Sequence, residues 1–151
     1  MTKPIHKHLL IRAEVKNPPK ENDERRLVNW MRYLIQDIDM KLLFGPITRY
    51  VDVEGNEGLT AIAMIETSHI AIHVWDEVIP ALVQCDVYSC AEFSSNEVLA
   101  EFVDMEPTKI EFSHDPGKYE YVVSFKDKSR KMYGFSSRYS QLPSSTVASE
   151  S

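Results

Sequence analysis

The stretch Ile65-Glu66-Thr67-Ser68-His69-Ile70-Ala71-Ile72-His73-Val74-Trp75-Asp76-Glu77 sets a hydroxyl, two imidazoles, an indole and a carboxylate into a run that otherwise reads as buried strand, and Asp86-Val87-Tyr88-Ser89-Cys90 follows it. Polar groups in such a setting cost free energy unless they are satisfied or used. Each type present could do chemistry. An imidazole exchanges protons near neutral pH, and a thiol donates one where its pKa lies not far above the operating pH. An aromatic face attracts a cation, and a carboxylate accepts from hydroxyls. Each also has a plainer assignment: Ser68 in a tight turn between strands, His69 and His73 as satisfied strand residues, Cys90 as a small buried hydrophobe, Trp75 and Tyr50 as core. Cys85 falls on the opposite strand face by parity and is read as core.

The elements that must position these residues follow from periodicity. Strands are predicted over residues 7–15, 42–53, 59–65, 70–75, 81–89, 109–112 and 119–125, with Gly45-Pro46 interrupting the second, reversals at 54–58 and 114–117, and Lys16-Asn17-Pro18-Pro19 closing the first. From Glu21 to Ile38 the apolar residues Leu27, Trp30, Met31, Leu34, Ile35 and Ile38 recur at spacings of three and four, which predicts an amphipathic helix. Ser94 with Glu97 three residues later is a capping-box pattern opening a second helix over 96–105, with Pro107 marking its exit. Two helices set apart from a run of strands predict an α+β two-layer sandwich with a mainly antiparallel sheet. It is expected to form a single domain over residues 1–140, followed by a Ser-rich tail, 141–151, expected to be disordered.

With 151 residues, 43% of them hydrophobic, the chain has material for one core. A formal charge of -6 and a pI near 5.4 argue against nucleic-acid binding, which needs a basic footprint. No apolar run approaches the roughly 18 residues of a membrane span, and the first residues lack the apolar core of a signal peptide. A cytoplasmic protein with no membrane partner is therefore expected, its two cysteines free thiols. The acidic residues form no recognisable diamine site, so neither a metal nor an obligatory activator is expected.

Ser68-His69 opening an apolar run, then His73, Trp75 and Glu77, then a strand ending in Cys90, resembles the short microbial form of the S-adenosylmethionine decarboxylase family, with a looser match from His8-Leu9-Leu10 to about His114. The resemblance implies a chain that cleaves itself, here between Thr67 and Ser68. Attack of the Ser68 hydroxyl on the Thr67 carbonyl would give an ester, and elimination from it would leave Ser68 as a pyruvoyl cofactor whose carbonyl serves as an electron sink after Schiff-base formation. It also implies roles for neighbours. His73 would be the base of the elimination, Thr67, Thr60 and His69 would support processing, and Cys90 would donate the proton in turnover and processing. Trp75, Glu77 and Tyr50 would bind S-adenosylmethionine through its sulfonium, adenine and ribose. The product would supply aminopropyl groups for spermidine synthesis, and the unit would be a homodimer of processed chains. A strict strand sets Ser68 and His73 on opposite faces, so these roles require a bend near Ser68.

Some positions depart from the family pattern. Glu66-Thr67 stands where Ser-Glu is common, Thr60 where a serine is usual, and Ala91 where a glycine often follows the cysteine. The basic stretch Lys126-Asp127-Lys128-Ser129-Arg130-Lys131 extends past the family core and reads as a solvated face or an extra hairpin. Two other functions fit the same residues. One is a pyruvoyl-dependent ornithine or arginine decarboxylase; the other is an uncleaved, non-catalytic homologue binding a nucleoside or a protein partner, which Thr67, Thr60 and Ala91 favour.

Overall fold

The computed structural model describes residues 6–114 together with the backbone of 121–126 and 131–137. Residues 115–117 of the expected reversal, 119–120 of the last predicted strand, 127–130 of the basic stretch and the tail 141–151 lie outside the described residues.

Among the described residues eight strands form one sheet: β1 (Lys7–Val15), β2 (Leu42–Val51), β3 (Gly58–Ile65), β4 (Ser68–Trp75), β5 (Ala81–Ser89), β6 (Pro107–Ser113), β7 (Tyr121–Lys126) and β8 (Lys131–Ser137). Their order is β2-β3-β4-β5-β1-β6-β7-β8, and every neighbouring pair is antiparallel. The first strand in sequence thus lies between the fifth and the sixth. β7 and β8 pair as the extra hairpin that the basic stretch suggested.

Period-two alternation decides the two faces. Leu9, Ile11, Ala13 and Val15 of β1, Leu59, Ala61, Ala63 and Ile65 of β3, Ile70, Ile72 and Val74 of β4, and Val83, Cys85 and Val87 of β5 are buried on one side. Two helices cover that side, α1 (Glu24–Asp37) and α2 (Ser95–Ala100), the second running on into a 3-10 turn, Glu101–Met105. The result is the expected two-layer α+β sandwich. Trp30 of α1 packs edge-on against Phe102 at 5.1 Å, and its indole N–H donates to the Glu101 carbonyl at 2.7 Å. Among the described residues no helix covers the opposite face of the sheet, and Ile62 and Met64 of β3 stand about half exposed there, at 51% and 53%.

Each helix departs from its expected bounds for a local reason. α1 begins at Glu24 rather than Glu21, because the Asp23 carboxylate accepts from the Lys20 N–H in a preceding turn, at 3.0 Å. It ends as a Schellman motif: Asp39 takes a left-handed φ of 57°, with its N–H on the Gln36 carbonyl at 3.1 Å and the Met40 N–H on that of Ile35 at 3.0 Å. α2 opens as expected, with the Glu97 N–H on the Ser94 hydroxyl at 3.3 Å, but is only six residues long. Acidic Glu101 and Asp104 oppose the negative C-terminal end of a longer helix. The carbonyls that would end such a helix are claimed from outside it, Met105 by the Asn17 N–H at 2.9 Å and Glu106 by the Lys16 N–H at 3.0 Å.

Candidate active site

Ser68 is the first residue of β4, directly after a two-residue turn, Glu66-Thr67, that joins it to β3. Tight two-residue hairpins favour turns with positive φ at their central residues. Neither Glu66 nor Thr67 supplies one; the positive φ falls on Ser68, at 150°, a region L-residues rarely occupy. The backbone is thus distorted at Ser68, where the family roles asked for a bend, but the distortion does not bring His73 to it. It leaves the Ser68 hydroxyl 3.2 Å from Nδ1 of His69, in a hollow of about 380 Å³ on the open face that Phe44, Ile62, Met64 and Ala71 also line.

The peptide before Ser68 is clamped. The Thr67 carbonyl accepts the Cys90 N–H at 2.9 Å. The Thr67 hydroxyl donates to Met40 Sδ at 3.2 Å and accepts from the buried Ser89 hydroxyl at 2.8 Å, which in turn accepts the Ala91 N–H at 2.9 Å. The left-handed turn at Asp39 is what delivers Met40 to this position. The register that pairs Ser68 with Ser89 brings the end of β5, and so Cys90, to the junction.

His69 lies between two groups. Its Nε2 is 3.7 Å from Oδ2 of Asp86, and its ring stacks on Tyr88, centroids 5.7 Å apart and planes 11° apart. Asp86 Oδ1 pairs with Nε2 of His8, and Tyr88 meets the His8 ring edge-on at 5.0 Å. Asp86, Tyr88 and His8 were not singled out from the sequence. The signal was available: alternation puts Asp86 and Tyr88 on the face opposite Cys85, and pairing of β4 with β5 sets Tyr88 across from His69.

His73 sits elsewhere on that face. Five residues of extended strand separate it from Ser68, about 16 Å at roughly 3.3 Å per residue. Its Nδ1 pairs with the Thr60 hydroxyl across the β3–β4 register, and its ring meets Trp75 edge-on at 4.1 Å. Nε2 is buried without a hydrogen-bond partner among the described residues. Burial holds the His73 pKa below the ordinary value, with Asp76 opposing, which favours the neutral ring. Thr60 and His73 border a second hollow, of about 300 Å³, that meets the first at Ala71.

The expected substrate-binding residues gather around the 54–58 reversal. Trp75 donates its indole N–H to Asn56 Oδ1 at 2.8 Å, and Glu77 accepts the N–H groups of Gly55 at 3.3 Å and Glu57 at 3.1 Å. Tyr50 donates to Asp76 Oδ1 at 3.3 Å; burial and then the Asp76 charge raise its pKa. Gly58 makes the close fit possible: with φ at 147°, a Cβ there would lie 1.6 Å from the Val74 carbonyl oxygen. Cys85 is core, its thiol pushed well up by burial and by Asp86, whereas Cys90 is half-buried beside the junction. No group of three or more His, Cys, Asp or Glu among the described residues is placed to hold a metal ion, and no helix among them is long and apolar enough to cross a membrane.

A strained serine preceded by a hydrogen-bonded carbonyl and followed by histidine, with a thiol just past the end of the next strand, sits on a two-layer antiparallel sandwich. Residues 7–113 match the family described as S-adenosylmethionine decarboxylase, so the chain belongs to that family. A relative from Pyrobaculum arsenaticum is 32% identical over 97 residues, 59% of this chain and 69% of that protein, and is named S-adenosylmethionine decarboxylase proenzyme.

Proposed function

We propose that the chain is a self-processing, pyruvoyl-dependent decarboxylase of S-adenosylmethionine, cut between Thr67 and Ser68. The observation that carries this reading is the junction itself: a positive φ at Ser68 with the carbonyl before it gripped by the Cys90 N–H. A positive φ at a non-glycine residue is a cost that functional sites carry, and the Cys90 N–H that satisfies the Thr67 carbonyl would also meet the charge that an attack by the Ser68 hydroxyl develops there. The residues present suit a pyruvoyl group at position 68, which when formed supplies a carbonyl electron sink. Cys90, whose N–H meets the Thr67 carbonyl, would serve as the proton donor. Trp75, Glu77 and Tyr50 lie farther from Ser68 than His73 does, so they would receive the nucleoside end of a substrate held at Ser68 of a second copy, once the 54–58 loop releases the Glu77 carboxylate. The decarboxylated product would then serve aminopropyl transfer in spermidine synthesis.

The elimination that completes processing needs a base at the Ser68 Cα, and His73 has the right chemistry at the wrong distance within one chain. A homodimer resolves this. The exposed apolar residues Phe44, Ile62 and Met64 beside Ser68 give a second copy a face to cover, and the copy would bring its own His73 to the junction.

Intact mass of the freshly purified protein under denaturing conditions, with Ser68→Ala as control, tests the reading. Two fragments meeting at Thr67-Ser68 are expected from the native sequence and one chain from the variant. A single full-length chain from both would remove the decarboxylase reading and leave a binding homologue.

A further inference from the structure

We propose that His69 is the base that takes the Ser68 hydroxyl proton during self-cleavage, that Asp86 and Tyr88 position it, and that the Cys90 N–H stabilises the oxyanion. This rests on the self-processing reading above and assigns the first of its steps, which His73 of the same chain does not reach. The parts are those that recur wherever a hydroxyl attacks a carbonyl: a nucleophile, an imidazole against it, a carboxylate behind the imidazole, and an N–H on the carbonyl oxygen. Here they are Ser68 Oγ, His69 Nδ1 at 3.2 Å, Asp86 Oδ2 at 3.7 Å from His69 Nε2, and the Cys90 N–H at 2.9 Å from the Thr67 oxygen. The scissile peptide is the chain's own.

Each contact has a stated consequence. At 3.7 Å the carboxylate is beyond hydrogen-bond length, so it acts through its charge, favouring the tautomer with the proton on Nε2 and leaving Nδ1 free to accept. The Tyr88 ring fixes the imidazole plane by stacking. His8 holds the other oxygen of Asp86 and so fixes which one faces His69. In the step itself Oγ forms a bond to the Thr67 carbonyl carbon while its proton passes to His69 Nδ1. The carbonyl oxygen gains negative charge against the Cys90 N–H. Collapse breaks the bond from that carbon to the Ser68 nitrogen, which leaves as an amine by taking the proton back from His69. The product is an ester, with no net change in protons.

The test exploits the different chemistry of ester and amide, since hydroxylamine cleaves the first readily. His73→Ala blocks elimination and should accumulate the ester, seen as hydroxylamine-dependent cleavage at 67–68. Adding His69→Gln should lower the rate of ester formation about a hundredfold or more, the range of general-base catalysis. Self-cleavage of the His69→Gln single variant should slow likewise, and imidazole in the buffer should restore His69→Gly, a rescue that a misfolded chain would not show. Asp86→Asn should slow the same step without being rescued by imidazole. If His69→Gln cleaves at the native rate, or the double variant forms ester as fast as His73→Ala, the assignment is overturned while self-processing stands. If the native sequence neither cleaves nor yields hydroxylamine-sensitive ester under any of these backgrounds, the self-processing reading fails and takes this one with it.

Discussion

Mixing two inactive chains should regenerate cleavage. Ser68→Ala has nothing to cleave, and His73→Ala lacks the elimination base. Within one chain the two positions are about 16 Å apart along β4. Their side chains, even with a hydrogen bond of about 3 Å between them, do not span that distance. If the base comes from a second copy, a mixed dimer has one competent junction, formed by Ser68 of the His73→Ala chain and His73 of its companion. Random pairing of equal amounts places half of each variant's chains in mixed dimers, so about half of the His73→Ala chains should be cut in a two-fold assembly. Raising the share of Ser68→Ala should drive that fraction towards completion. The assay is co-refolding at several ratios followed by intact mass, with a mass tag on one chain to identify the fragments. No cleavage at any ratio, with the dimer confirmed by sedimentation, would refute supply of the base in trans.

Three further outcomes are expected. Gly58→Ala would drive a Cβ into the Val74 carbonyl and should cost about 2–4 kcal/mol in denaturant unfolding; an unchanged midpoint would mean the β3–β4 contact is looser than described. Glu101 has its pKa raised to about 8 by burial, by the hydrogen bond its protonated carboxyl donates to Asp37, by the Asp37 charge and by Asp104, so the fold favours its protonated form. Stability from this group is full below the ordinary carboxyl range and is lost as pH rises through about 8; Glu101→Gln should therefore raise Tm at pH 8 and flatten its fall between pH 5 and 8, and an equal fall in both proteins would sink the argument. Iodoacetamide should modify Cys90 well before Cys85 in the folded protein and both alike in denaturant, as peptide mapping would show, because Cys85 is buried with a raised thiol pKa.

The strands and α1 were legible from apolar spacing, as in β5, where a face of Val83, Cys85 and Val87 alternates with one of Gln84, Asp86 and Tyr88. The shortening of α2 was not, since it depends on which distant N–H groups reach the Met105 and Glu106 carbonyls. At the junction, sequence marked Ser68, His69 and Cys90 by type and order, and the need for a bend by parity. It could not place the bend at Ser68 rather than in the turn. Nor could it bring Met40 or Ser89 to the site, because those meetings are fixed by strand register and by the left-handed residue ending α1. His73 shows the limit most clearly: its type and order fit a role at Ser68, but only distance along β4 shows that one chain cannot fill it.

The strand order has a consequence for any molecule cut at 67–68. The amino-terminal piece would hold β1, α1, β2 and β3, and the carboxy-terminal piece β4 to β8. β1 is threaded between β5 and β6, and β3 remains laddered to β4, so three strand-strand seams join the pieces. Such halves are interleaved like the fingers of two hands, and neither has a complete core of its own. Once cut, the molecule could lose its shape only by parting, and recovering it would become a meeting of two solutes whose yield depends on dilution. Uncut, the same sheet forms from one chain at any concentration. The order of events in the cell is thereby constrained: the sheet must close first and the backbone be severed afterwards.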